Sequence, residues 1–302
     1  MTGNNIFDVI IIGGSYSGLA AGMALGRSLR KVLIIDGGEP CNRQTPHSHN
    51  FLTQDGSTPQ AIAALAKEQV SKYETVHFFN GFATNGIKNE SSFSIEVATG
   101  EMFHAKKLLF ATGIRDIMPG IKGFAECWGI SVLHCPYCHG YEVRNELTGV
   151  LGNGDGGFEF AQMISNWTPH LTLFTNGAST LTEEQANLLA KHDIAIVTKE
   201  VDEVLHEKGR IQHIRFKDGS TQQVKALYAR LPFEQHSSIP ELLGCALTPE
   251  GFIQTDALQA TSVKGIYASG DNASRLRSVA NAVATGTAAG AMMNREMIME
   301  GF

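Results

Sequence analysis

The run from Asp8 to Asp36 limits what this chain can fold into more than any other feature. Asp8-Val9-Ile10-Ile11-Ile12 has the pattern of a buried strand, and Gly13-Gly14-Ser15-Tyr16-Ser17-Gly18 follows at once. Leu19-Ala20-Ala21-Gly22-Met23-Ala24-Leu25 then reads as a helix with small residues on its packing face. A second strand, Lys31-Val32-Leu33-Ile34-Ile35, ends at Asp36. This is a βαβ unit of the dinucleotide-binding kind, with its acid 18 positions beyond Gly18 against the ~20 expected. Gly13 allows the tight turn, the helix N-terminus offers N–H groups to a pyrophosphate, and Asp36 can accept hydrogen bonds from a ribose. The middle glycine of the fingerprint is replaced by Ser15, whose small side chain narrows the backbone approach without abolishing it.

A second copy begins near Leu147. Gly149-Val150-Leu151 leads into Gly152-Asn153-Gly154-Asp155-Gly156-Gly157, a helix from Phe158 to about Trp167, and a strand, Leu171-Thr172-Leu173-Phe174. The two glycine motifs start 139 residues apart, so the chain holds two such units rather than a short repeat. Gly152, Gly154, Gly157 and Asn176 mark a second candidate nucleotide site. Its strand runs into Thr175-Asn176-Gly177, with no carboxylate for an NAD ribose and no arginine for an NADP 2′-phosphate. Elsewhere, Lys107 to Thr112 is a strand closing on Gly113, and Val204 to Phe216 alternates like a strand up to a hairpin turn at Asp218-Gly219. Gly265 to Ala268 is a strand ending near Gly270-Asp271, and an Ala/Gly-rich helix runs from Val279 to about Met293.

Composition narrows the class. A chain of 302 residues suggests about two domains, with crossings near Ile114–Gly123 and Arg230–Ile239. Net charge is −6 and there is no basic tract, so neither nucleic acid nor a membrane is expected as a partner. The longest purely aliphatic stretch, Val9 to Ile12, falls far short of the ~20 apolar residues of a bilayer span. The first 12 residues lack the basic start and apolar middle of a secretory signal, which predicts a cytoplasmic location. Thirty-two glycines beside 5 cysteines point to close backbone approaches to a ligand rather than to a disulfide framework.

The cysteines that matter lie between the glycine motifs, in His134-Cys135-Pro136-Tyr137-Cys138-His139-Gly140. Four readings compete. Four zinc ligands from one six-residue run are geometrically implausible, so no metal is expected. Cys-x-x-Cys-His fits c-type haem attachment, but that requires export. Buried structural cysteines need no paired spacing. A redox dithiol uses the spacing directly, since the two sulfurs can close a short-loop disulfide and a neighbouring histidine or dipole can favour one thiolate. His139, or alternatively His134, is the candidate proton carrier, an imidazole near 6.5 being suited to transfer at neutral pH. Cys41, Cys127 and Cys245 have no partner at this spacing and are expected to be small buried hydrophobes.

The order of fingerprint, Ala-Thr-Gly turn, CxxC, second GxGxxG and Gly-Ile-Tyr-Ala-Ser-Gly-Asp resembles the low-molecular-weight thioredoxin reductase family, across essentially the whole chain. The resemblance implies an α/β fold of two Rossmann-like dinucleotide-binding domains, the second inserted into a discontinuous FAD domain. Residues 1–115 and 238–302 would form the FAD domain, and 116–237 the NAD(P)-binding-like domain carrying CxxC. Gly13, Gly14, Ser15, Gly18 and Asp36 would hold the ADP part of FAD, Gly270 and Asp271 would reach its central phosphate and ribityl region, and Gly113 and Val279 would complete the cradle. Cys138 would face the flavin and Cys135 would exchange with substrate. Relatives are homodimers whose domains rotate, and the same is expected here by analogy.

Two departures point to a sub-branch. His139 stands where thioredoxin reductases usually carry Asp, and Thr175 to Thr180 replaces the arginine run that grips the NADPH 2′-phosphate. Losing those charge-assisted contacts weighs against NADPH and leaves the choice between NADH and NADPH open. Residues 135–142, 14–18, 49–56 and 235–237 resemble the thioredoxin-reductase-like dithiol oxidases, which close disulfides in small sulfur metabolites and return the electrons to O2 as peroxide. Three functions follow: an FAD-dependent disulfide reductase acting on a thioredoxin-like protein or a small disulfide, an O2-coupled oxidase of a small dithiol, and a non-catalytic flavoprotein redox sensor.

Overall fold

A computed structural model of the chain describes residues 5–302. They form two compact units. The first takes the chain up to Arg43, then Phe51–Arg115 and Phe233–Phe302; the second takes Gln44–Asn50 and Asp116–Pro232.

The first unit opens with β1 (Ile6–Ile12), α1 (Tyr16–Arg27), β2 (Val32–Asp36), α2 (Pro59–Ser71) and β3 (Val76–Asn80). It continues through β4 (Ala83–Lys88), β5 (Phe93–Val97), β6 (Met102–Phe110) and β7 (Ile114–Asp116), where the chain crosses to the second unit. Strand order is β3-β2-β1-β6-β5-β4. The first four are mutually parallel, and β4 and β5 form an antiparallel extension. Alternate residues of β1 go to opposite faces: Ile10 and Ile12 join one apolar cluster, Val9 and Ile11 the other. Burial on both faces is why β1, β2 and β6 read as nearly continuous apolar runs instead of alternating.

The second unit carries α3 (Phe124–Cys127), β8 (Val132–Leu133), α4 (Pro136–His139), β9 (Thr148–Leu151), α5 (Gly154–Ile164), β10 (Leu171–Phe174), α6 (Glu183–Lys191) and β11 (Ala195–Val197). A meander of β12 (Val201–Glu207), β13 (Arg210–Phe216) and β14 (Thr221–Gln223) precedes β15 (Ala226–Ala229). The parallel sheet has the order β11-β10-β9-β15-β8, and β12-β13-β14 form a separate antiparallel sheet. The chain returns through β16 (Phe233–Gln235), which pairs with β7, then α7 (Ile239–Leu242), β17 (Ile266–Ala268) and α8 (Val279–Met299). β17 lies parallel to β6, and α8 packs on α1. The small residues of α8 serve that packing: a Cβ on Gly286 would stand 2.1 Å from the Ser17 carbonyl oxygen.

The structure departs from the sequence reading in several places. Val204 to Phe216 is two strands, not one, because Lys208 and Gly209 both take left-handed backbone (φ 49° and 79°) and turn the chain. Helix α5 starts at Gly154, inside the glycine motif, rather than at Phe158. The second unit ends at Pro232 rather than at 237, because Gln235 Nε2 donates to the carbonyls of Gly251 (2.8 Å) and Asn272 (2.9 Å) in the first unit. Residues 44–50, assigned by sequence to the FAD domain, group with the second unit. Among the described residues no helix is long and apolar enough to cross a membrane.

Candidate functional site

The first glycine turn is fixed by close packing. Gly13 has φ +108°, and a Cβ there would lie 2.2 Å from the Ala111 carbonyl oxygen at the end of β6. A Cβ on Gly18 would meet the Gly13 oxygen at 1.8 Å, so the turn closes only with glycine at both ends. Ser15 is the N-cap of α1 and its side chain makes no cap bond, and the start of a helix is where backbone N–H groups can meet an anion. The Gly14 N–H donates to Asp36 Oδ1 (3.2 Å), which holds the carboxylate at the tip of β2, while Oδ2 has no hydrogen-bond partner among the described residues.

Next to this turn lies the end of β17. Ser17 and Ser269 share a 2.6 Å hydroxyl bond, and the Gly270 N–H donates to Thr285 Oγ1 (3.1 Å), tying the strand end to α1 and α8. Asp271 stands 3.7 Å from Arg277 Nε and 3.8 Å from Cys41 Sγ. Cys41 is therefore an exposed thiol beside a carboxylate, not the buried hydrophobe expected, whereas Cys127 and Cys245 are buried. Gly113 faces open space, and Val279, at the start of α8, packs with Tyr16, Ile62 and Ala282. Sequence reading passed over Asn272. It is fully buried, its Nδ2 donates to the Phe110 carbonyl (2.8 Å) and Thr112 Oγ1 (3.2 Å), and its Oδ1 has no partner among the described residues. A glycine cradle, an uncapped helix mouth, a half-engaged carboxylate and an orphaned buried acceptor fit the polar half of FAD.

The second turn also closes glycine on glycine, but its left-handed residue is Gly154 (φ 54°) and its helix begins one motif position earlier. A Cβ on Gly157 would come within 2.6 Å of the Gly152 carbonyl carbon, so these glycines also close on each other. Here the N-cap is Asn153. Its Oδ1 accepts from the Gly154 N–H (2.9 Å) and the Thr180 N–H (2.8 Å), and its Nδ2 donates to the Ala178 carbonyl (2.9 Å). One side chain thus takes up the first N–H of the helix and ties residues 178–180 to it. Asp155 adds a carboxylate in the first turn of α5, held by Gln185 Nε2 (2.7 Å). Asn176 is also occupied, its Oδ1 accepting from the Val201 N–H (2.7 Å).

The redox pair sits where β8 ends. Cys135 is the N-cap of the single-turn helix α4 and is disulfide-bonded to Cys138, with Cα atoms 5.3 Å apart. The Cys138 N–H donates to Cys135 Sγ (3.2 Å), an arrangement that favours the Cys135 thiolate once the bond opens. Tyr137, between them, is exposed and meets Trp167 edge-on at 5.5 Å; His134 lies against the Trp128 ring at 5.9 Å. His139 ends α4. Burial, and secondarily the neighbouring His49, pull its imidazole down to about 4. It is therefore held neutral at physiological pH, not half-charged near 6.5 as the sequence suggested. Sequence reading also missed His49 and Glu142 as parts of this centre, which are paired at 3.6 Å.

Comparisons with known proteins agree with this geometry. The model of the pyridine nucleotide-disulphide oxidoreductase family matches residues 7–286. The thioredoxin reductase tcpT of Claviceps purpurea is 32% identical over 313 residues, covering 99% of this chain and 97% of that one. The thioredoxin reductase sirT of Leptosphaeria maculans is 30% identical, covering 96% and 94%. An oxidoreductase from Agrobacterium tumefaciens, solved by crystallography, superposes with a TM-score of 0.91 at 37% identity, covering 97% and 99%. The chain belongs to the pyridine nucleotide-disulphide oxidoreductase family and is an FAD-dependent oxidoreductase acting on sulfur groups.

Proposed function

We propose that the protein is a dithiol oxidase, which closes a disulfide in a small sulfur-containing molecule and passes the electrons to O2, releasing peroxide. The observation that carries this reading is the Asn153 side chain at the first N–H of α5, with Asp155 behind it and no arginine in the stretch after β10 to grip a 2′-phosphate. A pyridine nucleotide would have to compete with Asn153 for the Gly154 N–H and bring its pyrophosphate up to the Asp155 carboxylate. The first unit is read as the FAD domain, with Gly13, Gly14, Ser15, Gly18 and Asp36 on the ADP part and Gly270, Asp271 and Asn272 further along.

The chemistry of the second unit follows from its residues. A substrate thiol gives its proton to neutral His139, and the thiolate attacks Cys135 Sγ. The Cys135–Cys138 bond breaks, and the Cys138 sulfur leaves with the proton that His139 returns. The second substrate thiol then gives its proton to the freed His139 and attacks the substrate sulfur of the mixed disulfide, closing the substrate's own disulfide, and the Cys135 sulfur leaves with that proton. The substrate is oxidised by two electrons and the cysteine pair is reduced by two. FAD, when bound, supplies the two-electron carrier through which the dithiol is closed again.

A second reading, a nicotinamide-driven reductase of a thioredoxin-like protein, is favoured by the intact Gly152–Gly157 turn and by the names of the relatives. Anaerobic mixing separates the two. The oxidase reading expects dithiothreitol to bleach the flavin, air to restore it with one peroxide per dithiol, and neither NADPH nor NADH to bleach it; bleaching by either nucleotide within seconds establishes the reductase instead. Cys138→Ser should keep its flavin and lose about a thousandfold or more of the dithiol rate. The homodimer is part of this proposal and is checked by light scattering of the FAD-loaded protein.

A further inference from the structure

The parallel sheet of the second unit reverses its strand order at β9: β10 and β11 follow on one side, and β15 and β8 lie on the other. In sheets of this kind ligands bind in the crevice beyond the carboxyl ends of the strands at the reversal. Leu151 of β9 pairs with Ala229 of β15, and Leu133 of β8 pairs with Tyr228. Counting on by one and by two residues, Arg230 leaves the sheet level with Gly152, which opens the glycine turn, and with Cys135, which opens the redox turn. The Arg230 side chain is exposed, yet it is held: its Cζ lies 4.4 Å from the centroid of the Phe160 ring on α5, and the same ring meets Tyr228 edge-on at 6.0 Å. No carboxylate pairs with Arg230 among the described residues. Those of the flanking turns have other partners, Glu142 with His49 Nε2 (3.6 Å) and Asp155 with Gln185 Nε2 (2.7 Å).

We propose that Arg230, stacked on Phe160 at the strand end beside the redox turn, anchors an anionic group of the substrate, so that the small dithiol this protein oxidises carries a carboxylate. The inference rests on the reading that the Cys135–Cys138 pair oxidises a small dithiol, and it names the class to which that dithiol belongs. A guanidinium laid on an aromatic face is fixed through its plane and keeps its N–H edge for a ligand. That edge is the part that grips a carboxylate through two parallel bonds. Arg230 stands on the strand next to the redox turn rather than within it, so it can hold one end of a substrate without touching the sulfurs. The chain as a whole carries a net charge of −6, which repels an anion. A preference for an anionic dithiol over a neutral one is therefore a property that a local cation has to create.

The test uses a matched pair of dithiols on the FAD-loaded protein without air. Dihydrolipoate and its amide close the same dithiolane ring and differ by one negative charge at the far end of the molecule. Flavin bleaching is followed over a range of dithiol concentrations. Wild type is expected to show a second-order rate constant about fivefold larger for dihydrolipoate, through tighter binding rather than a faster limiting rate, and added salt should shrink that ratio. Arg230→Gln should bring the ratio to about one, and Arg230→Lys, which keeps the charge without the fork, should leave part of it. Both dithiols are read on the same protein, so a general loss of activity cancels. A wild-type ratio of one or less overturns the proposal, as does a ratio that survives in Arg230→Gln. NADH and NADPH probe the other source of an anion at this edge: bleaching by either that falls in Arg230→Gln, with a dithiol ratio of one, gives the guanidinium to a nucleotide phosphate instead. Dithiothreitol, which is uncharged, tests the underlying reading separately. If it fails to bleach the flavin, that reading and the proposal fall together; if it bleaches while the ratio is one, only the role of Arg230 falls.

Discussion

At Gly13–Gly18 and at Gly152–Gly157 the last glycine of the motif lies too close to the first to carry a side chain, although the backbones differ, with Gly13 left-handed in one and Gly154 in the other. The helices that follow differ in their N-caps. Ser15 makes no side-chain bond to α1, and the neighbouring carboxylate, Asp36, sits back at the tip of β2 with one oxygen engaged. Asn153 instead bonds its own helix and the loop beyond β10, and Asp155 places its carboxylate in the first turn. Glycines in such a motif are first a packing requirement between strand and helix. Whether a phosphate can follow depends on what the cap residue does with the N–H groups at the mouth.

Gly18→Ala should break the open turn outright. Its Cβ collides with backbone, so the purified protein is expected to hold under about a tenth of the wild-type flavin, read from visible absorbance per protein. Gly157→Ala carries the matching clash in the other turn and should keep its flavin while melting earlier; equal flavin loss in both would mean that the turns are not independent. A smaller effect is expected at Asp36→Ala, where losing the ribose acceptor weakens FAD binding about tenfold, or ~1.4 kcal/mol, by titration of the apoprotein. The closed mouth can also be opened. Asn153→Gly with Thr180→Arg removes the stopper and adds a phosphate partner, and NADPH should then bleach the flavin several-fold faster than in the parent. Asn153→Ala alone should cost only about 1 kcal/mol, a drop of about 2–4 °C in Tm.

Much of this contrast was written in the sequence. The acid at 36, the two glycine turns and the absence of arginine after β10 are visible without coordinates, because apolar runs, glycines and charges carry their meaning locally. Asn153 was also readable, as an N-cap type directly before a helix, yet inside a glycine motif it passes for a variable position. Asn272 was not readable, since its burial depends on β6 and β17 lying side by side. The depressed imidazole of His139 was hidden for a similar reason: it follows from burial and from His49, which lies 90 positions away along the chain. The turn at Lys208-Gly209 was a local signal overlooked, because alternation on both sides made the pair look like one strand.

The placement of residues 44–50 has a consequence for how such a molecule can be cut and recombined. Connectivity passes between the units four times, at 43/44, 50/51, 115/116 and 232/233. A cassette spanning 116–232 therefore lacks a piece of its own unit, the piece bearing His49. A chimera that exchanges only that cassette between relatives would join one parent's redox turn to the other parent's histidine. Residues 44–50 must travel with it for the graft to be native at its chemical centre.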